Sequence, residues 1–386
     1  MSGITRVTNS KYLQSWLALH LVPGMGPVTC NKLVVHFGSP DKVLSASISD
    51  LTAVCRLRQE SLTALGDEGR QNLKALANDE IEQAAEKNIT IIARDDPLYP
   101  SLLKNIHDPP IVLYVLGDPE LLNCKGIGIV GSRAATHYGR SIAEQMANSL
   151  ARQSFSIISG MALGIDTAAH KGALAAEGRT IAVLGCGLDI IYQPSNHKLY
   201  KNIASSGAVV SEYPLGTMPD NFRFPARNRI ISGLSLGIVV VEAAIRSGSL
   251  ITAKHALDQG RDVFAVPGRI DSVKSAGTHI LLQQGAKLVH SVNDIVEEFS
   301  YAGPLEKQED TCHEDTEQES FDQLNQEEIA LFKCLEVYPR AIDEIVRESG
   351  FTPQKTNELL LLLELKGMVE LLPGKCYQRA ASLSGK

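Results

Sequence analysis

The chain has 386 residues, enough for two or three domains, and its 44% hydrophobic and 21% charged residues are ordinary for a globular protein. The N-terminus has no apolar signal-peptide core, and no apolar run approaches the ~20 residues of a membrane span, so we expect a cytoplasmic protein without membrane segments. Its seven cysteines are scattered without a C-x-x-C pair, so neither a disulfide framework nor a zinc site is indicated.

The formal net charge of −7 argues at first against a nucleic-acid binder. However, segment 303–322 carries eight carboxylates against one lysine and so accounts for a charge of −7 by itself. The rest of the chain is neutral on balance, which permits a local basic groove without requiring one. Because this segment is too polar to bury a core, we assign residues 303–326 to an acidic linker.

Residues 1–87 are predicted to form a small helical domain. An apolar face around Trp16 and a second helix from Thr29 to Phe37 flank the turn sequence 23–26, which reads Pro-Gly-Met-Gly. This order is typical of a helix-hairpin-helix, whose hairpin N–H groups can hold a DNA phosphate. A plain helical hairpin without a DNA role fits the same pattern equally well, because few cations lie nearby.

Residues 88–302 alternate between strand and helix patterns, which predicts an α/β domain with an open, doubly wound, mostly parallel sheet. Helices are predicted at 138–153, 166–176 and 249–259. The predicted strands are 111–116, 126–130, 155–159, 180–185, 207–211, 237–241, 262–266 and a short one near 286–289. Ligands of such sheets bind beyond the carboxyl ends of the strands, near the point where the strand order reverses.

Known nucleotide motifs fail in this domain. Gly126-x-Gly128-x-x-Gly131 matches the dinucleotide pattern by letter, but the motif must follow a strand, and here residues 126–130 are themselves the strand. The sequence has no P-loop pattern either. We therefore expect no cofactor, no metal and no catalytic residue.

Three segments suit a nucleic-acid strand. Arg223, Arg227 and Arg229 lie around two phenylalanines, Phe222 and Phe224, and guanidinium groups bind phosphates while rings stack on bases. The segment 246–249, Arg-Ser-Gly-Ser, opens a helix, and the turn 131–133, Gly-Ser-Arg, follows a strand, so both offer backbone N–H groups to an anion. The alternative is that the phenylalanines belong to the core and the arginines to a solvated face.

Several polar residues in the same region have structural interpretations. Asp166 is predicted to be the N-cap of the following helix, and His170 is predicted to lie on that helix's surface. Arg227 and Arg229 could instead pair with Glu242 or Glu212 and hold the top of the sheet together, an interpretation that competes most strongly for Arg229.

Residues 327–386 predict a winged helix, with helices at 328–337, 341–349 and 353–366, and a hairpin formed by 368–372 and 376–378. The recognition helix, Thr352 to Leu365, carries Lys355 as its only cation together with Glu358 and Glu364. One lysine with two glutamates is poorly suited to a DNA major groove, so docking of a protein is at least as well supported as DNA binding.

The strand-end motifs together closely resemble the family of DNA-processing protein A, DprA, also called Smf. The resemblance is carried by Gly131-Ser132-Arg133, Ser159-Gly160-Met161-Ala162-x-Gly164-Ile165-Asp166, Ala182-Val183-Leu184-Gly185-x-Gly187, Ser211-Glu212-Tyr213-Pro214, Phe224-Pro225-x-Arg227-Asn228-Arg229-Ile230-Ile231 and Arg246-Ser247-Gly248-Ser249-Leu250-Ile251-Thr252-Ala253. The motifs span nearly the whole sheet domain in order, and the flanking helical domain and winged helix match the family's three-part layout.

The resemblance implies an extended Rossmann-like domain that binds single-stranded DNA and forms a homodimer, without catalysis. It implies a recombination mediator that protects incoming single strands in natural transformation and loads the RecA recombinase, displacing single-strand-binding protein. The DNA-binding residues that we predict on this basis are Gly131, Ser132, Arg133, Gly160, Met161, Lys171, Arg223, Phe224, Arg227, Asn228, Arg229, Ser247, Gly248, Ser249 and Lys254.

Two other function classes remain as alternatives. Similar sheet domains occur in nucleotide phosphoribohydrolases, which need a catalytic glutamate in a Gly-Gly-x-Gly-Thr-x-x-Glu loop. Here the corresponding loop, 247–254, lacks the acid and ends in Lys254, which argues against hydrolysis. The third class is a transcription regulator that binds duplex DNA through its winged helix.

Overall fold

The computed structural model describes residues 10–191, 193–300, 324–336, 339–372 and 374–379. The chain divides into two compact units, Met1–Ala302 and Gly303–Lys386, and each is described by itself. Residues 303–323 of the predicted acidic linker lie outside the described residues. Within the described residues, no helix is both long and apolar enough to cross a membrane.

The first unit begins with six helices whose apolar faces meet around the fully buried Trp16. They are α1 (Ser10–His20), α2 (Pro27–Phe37), α3 (Pro40–Ser45), α4 (Ile48–Val54), α5 (Gln59–Ala64) and α6 (Asp67–Glu86). Ser39 and Ser47 cap α3 and α4 through their hydroxyls, as serine does at helix starts. The same apolar cluster continues into Tyr114 and Val209 of the sheet, so the predicted boundary at residue 87 does not separate two cores.

The predicted helix-hairpin-helix has the expected backbone at α1, its turn and α2. Gly24 adopts a φ of +69° in the turn, a conformation that glycine reaches at no steric cost. However, a Cβ on Gly24 would lie 2.1 Å from Oε1 of Glu60, so a carboxylate occupies this face of the turn. Glu60 pairs with Arg58 at 3.6 Å and fills the space beside the turn, which favours the interpretation as a plain helical hairpin.

A nine-stranded sheet forms the centre of this unit, in the order β1-β2-β6-β5-β4-β3-β7-β8-β9. Its strands are β1 (Ile89–Ala93), β2 (Val112–Gly117), β3 (Gly126–Val130), β4 (Ser156–Ser159), β5 (Thr180–Leu184), β6 (Ala208–Ser211), β7 (Gly237–Val240), β8 (Asp262–Ala265) and β9 (Lys287–Leu288). The strands from β6 to β9 pair in parallel, whereas β1–β2 and β2–β6 are antiparallel. The mostly parallel sheet is therefore confirmed, with β1 as an edge strand that the sequence reading missed.

Helices cover both faces of the sheet, as the apolar strands require. They are α7 (Ser101–Lys104), α8 (His137–Arg152), α9 (Ile165–Ala175), α10 (His197–Ser206), α11 (Arg223–Leu234), α12 (Gly248–Asp258), α13 (Ala276–Gln283) and α14 (Asn293–Ser300). From β3 the chain runs through β4, β5 and β6 on one side and then returns to β7, β8 and β9 on the other. This reversal between β3 and β7 is the topological switch point, where open sheets bind ligands.

Two predictions on α9 are wrong. Gly164, with a φ of +83°, is the residue that precedes the helix, and Asp166 lies inside the first turn rather than at the N-cap. His170 is fully buried instead of lying on the surface. Its Nδ1 pairs with Thr180 Oγ1 at 2.7 Å, because this face of α9 packs on β5 and not toward solvent.

The second unit is a winged helix, as predicted. It comprises α15 (Gln326–Lys333), β10 (Arg340–Ala341), α16 (Ile342–Ser349), α17 (Pro353–Leu365), β11 (Val369–Leu372) and β12 (Cys376–Arg379). The recognition helix α17 buries Leu359, Leu360 and Leu363. Its cation Lys355 lies 3.0 Å from Glu327 and 3.6 Å from Glu358, so this charge is neutralised within the unit.

Candidate nucleic-acid interface

An open cleft of about 580 Å³ lies at the carboxyl ends of β3, β4 and β7, at the topological switch point. It is bounded by the turns after these strands and by the N-terminal part of α11. Its lining includes nine of the predicted DNA-binding residues, namely Gly131, Ser132, Arg133, Phe224, Arg227, Asn228, Ser247, Gly248 and Ser249. The sheet topology therefore brings together three segments, 131–133, 224–228 and 246–249, of which the first and the last are more than a hundred residues apart in sequence.

The turn after β3 is held by backbone contacts and leaves its arginine exposed. The Ser132 N–H donates to the Glu242 carbonyl at 2.8 Å, and the Ile165 N–H donates to the Ser132 carbonyl at 3.2 Å. A Cβ on Gly131 would lie 2.6 Å from Cγ1 of Ile165, so glycine is needed for this close approach. The turn therefore presents Arg133 to the cleft from a fixed backbone.

Arg133 stacks on an aromatic ring at the cleft. Its Cζ lies 5.3 Å from the centroid of the Phe224 ring, within the range of a cation–π contact. Arg133 is exposed, and Phe224 is half-buried. The pair thus offers a positive charge and a ring on the same side of the cleft, a combination suited to a phosphate and its neighbouring base.

The turn before α12 also lines the cleft. Ser247 is the N-cap, and its hydroxyl accepts from the Ser249 N–H at 3.4 Å. A Cβ on Gly248 would meet no atom within 4 Å, and this residue is not among those with a positive φ. Because neither packing nor backbone conformation requires glycine here, its small size suits close approach of a ligand to the backbone. Arg246, exposed beside this turn, adds a second cation to the lining.

Arg227 lines the cleft but is committed to the protein, with only 4% of its surface exposed. Its Nη1 donates to the Gly160 carbonyl at 2.7 Å and also to the Val183 carbonyl. Burial lowers the pKa of Arg227 to about 10, against the attraction of Asp166, so the side chain stays charged at neutral pH. Arg227 therefore supports the cleft and adds its positive charge to it. It pairs with neither Glu212 nor Glu242.

Asp166 is the buried carboxylate beside Arg227. Burial raises its pKa, while Arg227 and the backbone N–H of Ala162 oppose this rise. The Ala162 N–H donates to Asp166 Oδ2 at 3.3 Å. A Cβ on Gly160 would lie 2.6 Å from Arg227 Nη2 and 2.8 Å from Asp166 Oδ2, which explains why this position holds glycine.

The guanidinium group of Arg229 is buried between two carboxylates, which favours its structural interpretation over a DNA contact. Its Nη2 lies 2.5 Å from Glu212 Oε2, and its Nε lies 2.9 Å from Asp108 Oδ2. Burial lowers the pKa of Arg229, but Glu212 and Asp108 more than offset this effect and the pKa is raised. The structural interpretation is confirmed for the pair Arg229–Glu212. Glu242 instead accepts from the Thr136 N–H at 2.9 Å, at the start of α8.

The remaining predicted residues lie outside the cleft lining. Gly160 and Met161 are buried, and Lys171 is exposed on α9. Lys254, on α12, and Arg246, before it, line a groove that adjoins the cleft. Arg223 is the first residue of α11, and its guanidinium group lies over the rings of Tyr213 and Phe222.

Sequence reasoning missed Asp166, Asn221 and Thr252 as part of the cleft lining. Asn221 directly precedes the arginine–phenylalanine segment, so extension of that motif by one residue could have identified it. Thr252 lies one helical turn after Gly248 and could have been inferred from helical spacing. Asp166 could not, because only the packing of α9 against the cleft determines the direction of its side chain.

Comparisons with known proteins agree with this architecture. The sequence model of the family described as DNA recombination-mediator protein A matches residues 90–300, and that of the DprA winged helix domain matches residues 315–375. Protein Smf of Synechocystis is 34% identical over 94% of this chain and 98% of its own length. DNA processing protein DprA of Streptococcus pneumoniae is 47% identical over 53% of this chain and 73% of its own length.

Solved structures give the same result. The X-ray structure of DprA from Streptococcus pneumoniae has a TM-score of 0.64 at 35% identity, covering 76% of this chain and 98% of that chain. DNA processing protein A from Helicobacter pylori, described for its single-stranded DNA binding mode, has a TM-score of 0.51 at 32% identity, covering 56% of this chain and 97% of that chain. On these matches, the chain belongs to the DNA recombination-mediator protein A family, also called DprA or Smf.

Proposed function

We propose that this chain binds single-stranded DNA in the cleft and acts as a recombination mediator in natural transformation. In this role it protects incoming single strands, displaces single-strand-binding protein and loads RecA, working as a cytoplasmic homodimer without catalytic turnover. The proposal is supported by family membership and by the Helicobacter pylori relative, which is described as a single-stranded DNA binder.

The observation that carries the proposal is the Arg133–Phe224 pair, which lines the same cleft as the open turn at Gly248. The arginine supplies a charge-assisted bond to a phosphate, and the ring supplies a face on which a base can stack. The N–H groups at the start of α12 add a favourable site for a second phosphate. We name Arg133, Phe224, Arg246 and Gly248 the cleft rim, and we expect these residues to make the main contacts.

The same geometry favours single strands over duplex. A ring on the lining of a recessed cleft can stack only on a base whose face is free, and the bases of a duplex already stack on one another. Phosphate contacts alone would not discriminate, since both forms carry them. Preference for the single strand should therefore depend on Phe224, whereas overall affinity should depend on the rim arginines.

The hydrolase alternative finds little support in the cleft. Among its described lining residues, Asp166 is the one carboxylate, and its pKa is raised by burial while Oδ2 accepts the Ala162 N–H. A phosphoribohydrolase would need a carboxylate free to act on the sugar carbon. Release of free base from a nucleoside monophosphate, abolished by Arg133→Ala, would restore this alternative.

The test is fluorescence-anisotropy binding of labelled oligo-dT and of the matching duplex to the full chain and its variants. Arg133→Ala should weaken oligo-dT binding about 10- to 100-fold, because a hydrogen bond to a charged group contributes about 1.5–3 kcal/mol. Arg152→Ala is the matched control, since it removes an exposed arginine at the last residue of α8, outside the cleft lining. Equal affinity of Arg133→Ala and wild type would refute the cleft as the binding site.

Loading of RecA requires its own experiment. The full chain should restore RecA-dependent strand pairing on single strands already covered by single-strand-binding protein, and Arg133→Ala should lose this activity in step with its loss of DNA affinity. If wild type binds oligo-dT but never promotes RecA assembly, the mediator function is wrong while the DNA site stands.

A further inference from the structure

A second arginine–aromatic cluster lies at the start of α11, next to the cleft but outside its lining. Cζ of Arg223 lies 5.3 Å from the ring centroid of Tyr213 and 5.3 Å from that of Phe222. The Phe222 side chain is 65% exposed, whereas Tyr213 is half-buried. We name these three residues the outer cluster. Its arginine-to-ring distance equals that of the Arg133–Phe224 pair on the rim.

The fold gives no reason for a phenylalanine at this position. Phe222 is the N-cap of α11, where a side chain that accepts a backbone N–H would stabilise the helix, yet it makes no capping bond. A ring that remains 65% exposed also contributes little to the core. An exposed ring held beside a guanidinium group offers a face on which a base can stack and a charge for its phosphate.

The conformation of Arg223 supports this interpretation. Its Nη1 donates to the carbonyl of Met218, which holds the guanidinium group beside the Phe222 ring and limits its freedom. The first turn of α11 carries no acidic residue, so no carboxylate in that turn competes for the guanidinium group. The outer cluster thus presents a fixed positive charge next to an exposed ring.

We propose that the outer cluster is a second base-stacking site for the same DNA strand. One base stacks on Phe224 in the cleft and a later base stacks on Phe222, while Arg223 binds the phosphate backbone as the strand crosses the start of α11. Phe222 and Phe224 are two residues apart at a helix start, so they point in widely different directions and cannot share one base. This inference rests on the proposed function, because it extends the path of the same strand.

The decisive variants are Phe222→Ala, Phe222→Leu and Phe222→Trp in the full chain, with labelled oligo-dT as the probe. Base–aromatic stacking contributes about 1–3 kcal/mol per base, so Phe222→Ala and Phe222→Leu should each weaken binding at least about fivefold. Phe222→Trp should retain affinity, because indole also stacks. Leucine keeps the apolar surface without a ring, so weaker binding by Phe222→Leu would distinguish stacking from general hydrophobic contact.

Two controls isolate the mechanism. An abasic oligomer with the same sugar–phosphate backbone should bind wild type and Phe222→Ala equally, because it has no base to stack. Met218→Ala removes a neighbouring apolar side chain that is 63% exposed, and it should leave oligo-dT affinity unchanged. Bound oligo-dT should also quench the fluorescence of Phe222→Trp beyond that of wild type, whose single tryptophan, Trp16, is fully buried.

The outcomes separate this inference from the proposed function. Wild-type affinity in Phe222→Ala and Phe222→Leu, together with weak binding by Arg133→Ala, would overturn the outer cluster and leave the cleft intact. An equal loss in Met218→Ala and Phe222→Ala would also overturn it, because a nonspecific apolar surface would then explain binding. Absence of oligo-dT binding by wild type would overturn both proposals together.

Discussion

The cleft rim and the buried charges beside it use the same residue type for opposite purposes. Arg133 on the rim is exposed and stacked on Phe224, whereas Arg229 is 5% exposed and lies between Glu212 and Asp108. Arg227 is intermediate, since it lines the cleft but donates to two backbone carbonyls. Arginine in a phosphate-binding motif therefore does not by itself indicate a phosphate contact.

The cleft rim depends on the buried charges for its shape. Arg227 joins the ends of β4 and β5 through Gly160 and Val183, and Arg229 joins α11 to the residue that follows β6. Loss of a buried charge should therefore change the free energy of unfolding. Loss of a rim residue should change DNA affinity alone.

The largest effect is expected for Arg229→Met. Removal of one partner of a buried ion pair leaves Glu212 uncompensated, and such changes cost about 3–5 kcal/mol in the free energy of unfolding. Thermal and urea unfolding followed by circular dichroism would measure this loss. The double variant Arg229→Met/Glu212→Leu should recover part of it, and Arg133→Ala should unfold like wild type. An Arg229→Met protein as stable as wild type would remove the distinction between the two regions.

The next largest effect should be a loss of folding stability at acid pH, and it should be caused by a buried side chain. Burial, assisted by the charge of Arg227, lowers the pKa of His170 to about 3, below its ordinary value of 6.5. The unfolded chain therefore binds a proton here near pH 6.5 while the folded protein does not, so stability falls as pH decreases from about 6.5 toward 3. The slope is about 1.4 kcal/mol per pH unit for one such histidine.

The variant that tests this is His170→Leu, which cannot take up the proton. The difference in unfolding free energy between wild type and His170→Leu, followed from pH 7 to pH 4, should shift in favour of the variant as pH falls. Buried Asp166 and Glu212, whose pKa values are raised, act in the opposite direction but are present in both proteins. A difference that does not vary with pH would show that His170 is not held neutral by burial.

The smallest effects are expected for two glycine variants, one beside the buried charges and one on the cleft rim. Gly160→Ala should destabilise the protein by about 1–3 kcal/mol, because its Cβ would overlap Arg227 and Asp166 in a packed site. Gly248→Ala should leave stability within about 0.5 kcal/mol of wild type, since its Cβ would meet no atom within 4 Å. In oligo-dT binding, Gly248→Ala should weaken affinity by obstructing backbone approach. Stability loss in Gly248→Ala without loss of affinity would contradict the assignment of this turn to the rim.

The sequence anticipated the sheet and most of the cleft for identifiable reasons. Apolar runs such as 238–241 and 263–266 are buried on both faces, so they differ clearly from their surroundings. Gly131-Ser132-Arg133 directly follows one such run and Ser247-Gly248-Ser249 comes a few residues after another, and the topology places the ends of parallel strands at one edge. β1 was missed because it belongs to the edge of the sheet, where it pairs in antiparallel fashion with β2.

The amino-acid sequence by itself determined the family, the mostly parallel sheet, the winged helix and the turns that build the rim. Each of these follows from local periodicity or from short motifs that need no distant partner. Tertiary packing determines which arginines face the cleft. It also buries His170 and brings Glu60 against the hairpin turn. Exposure of a side chain depends on elements that are remote in sequence, and residues of one motif, such as Arg227 and Phe224, can meet quite different neighbours.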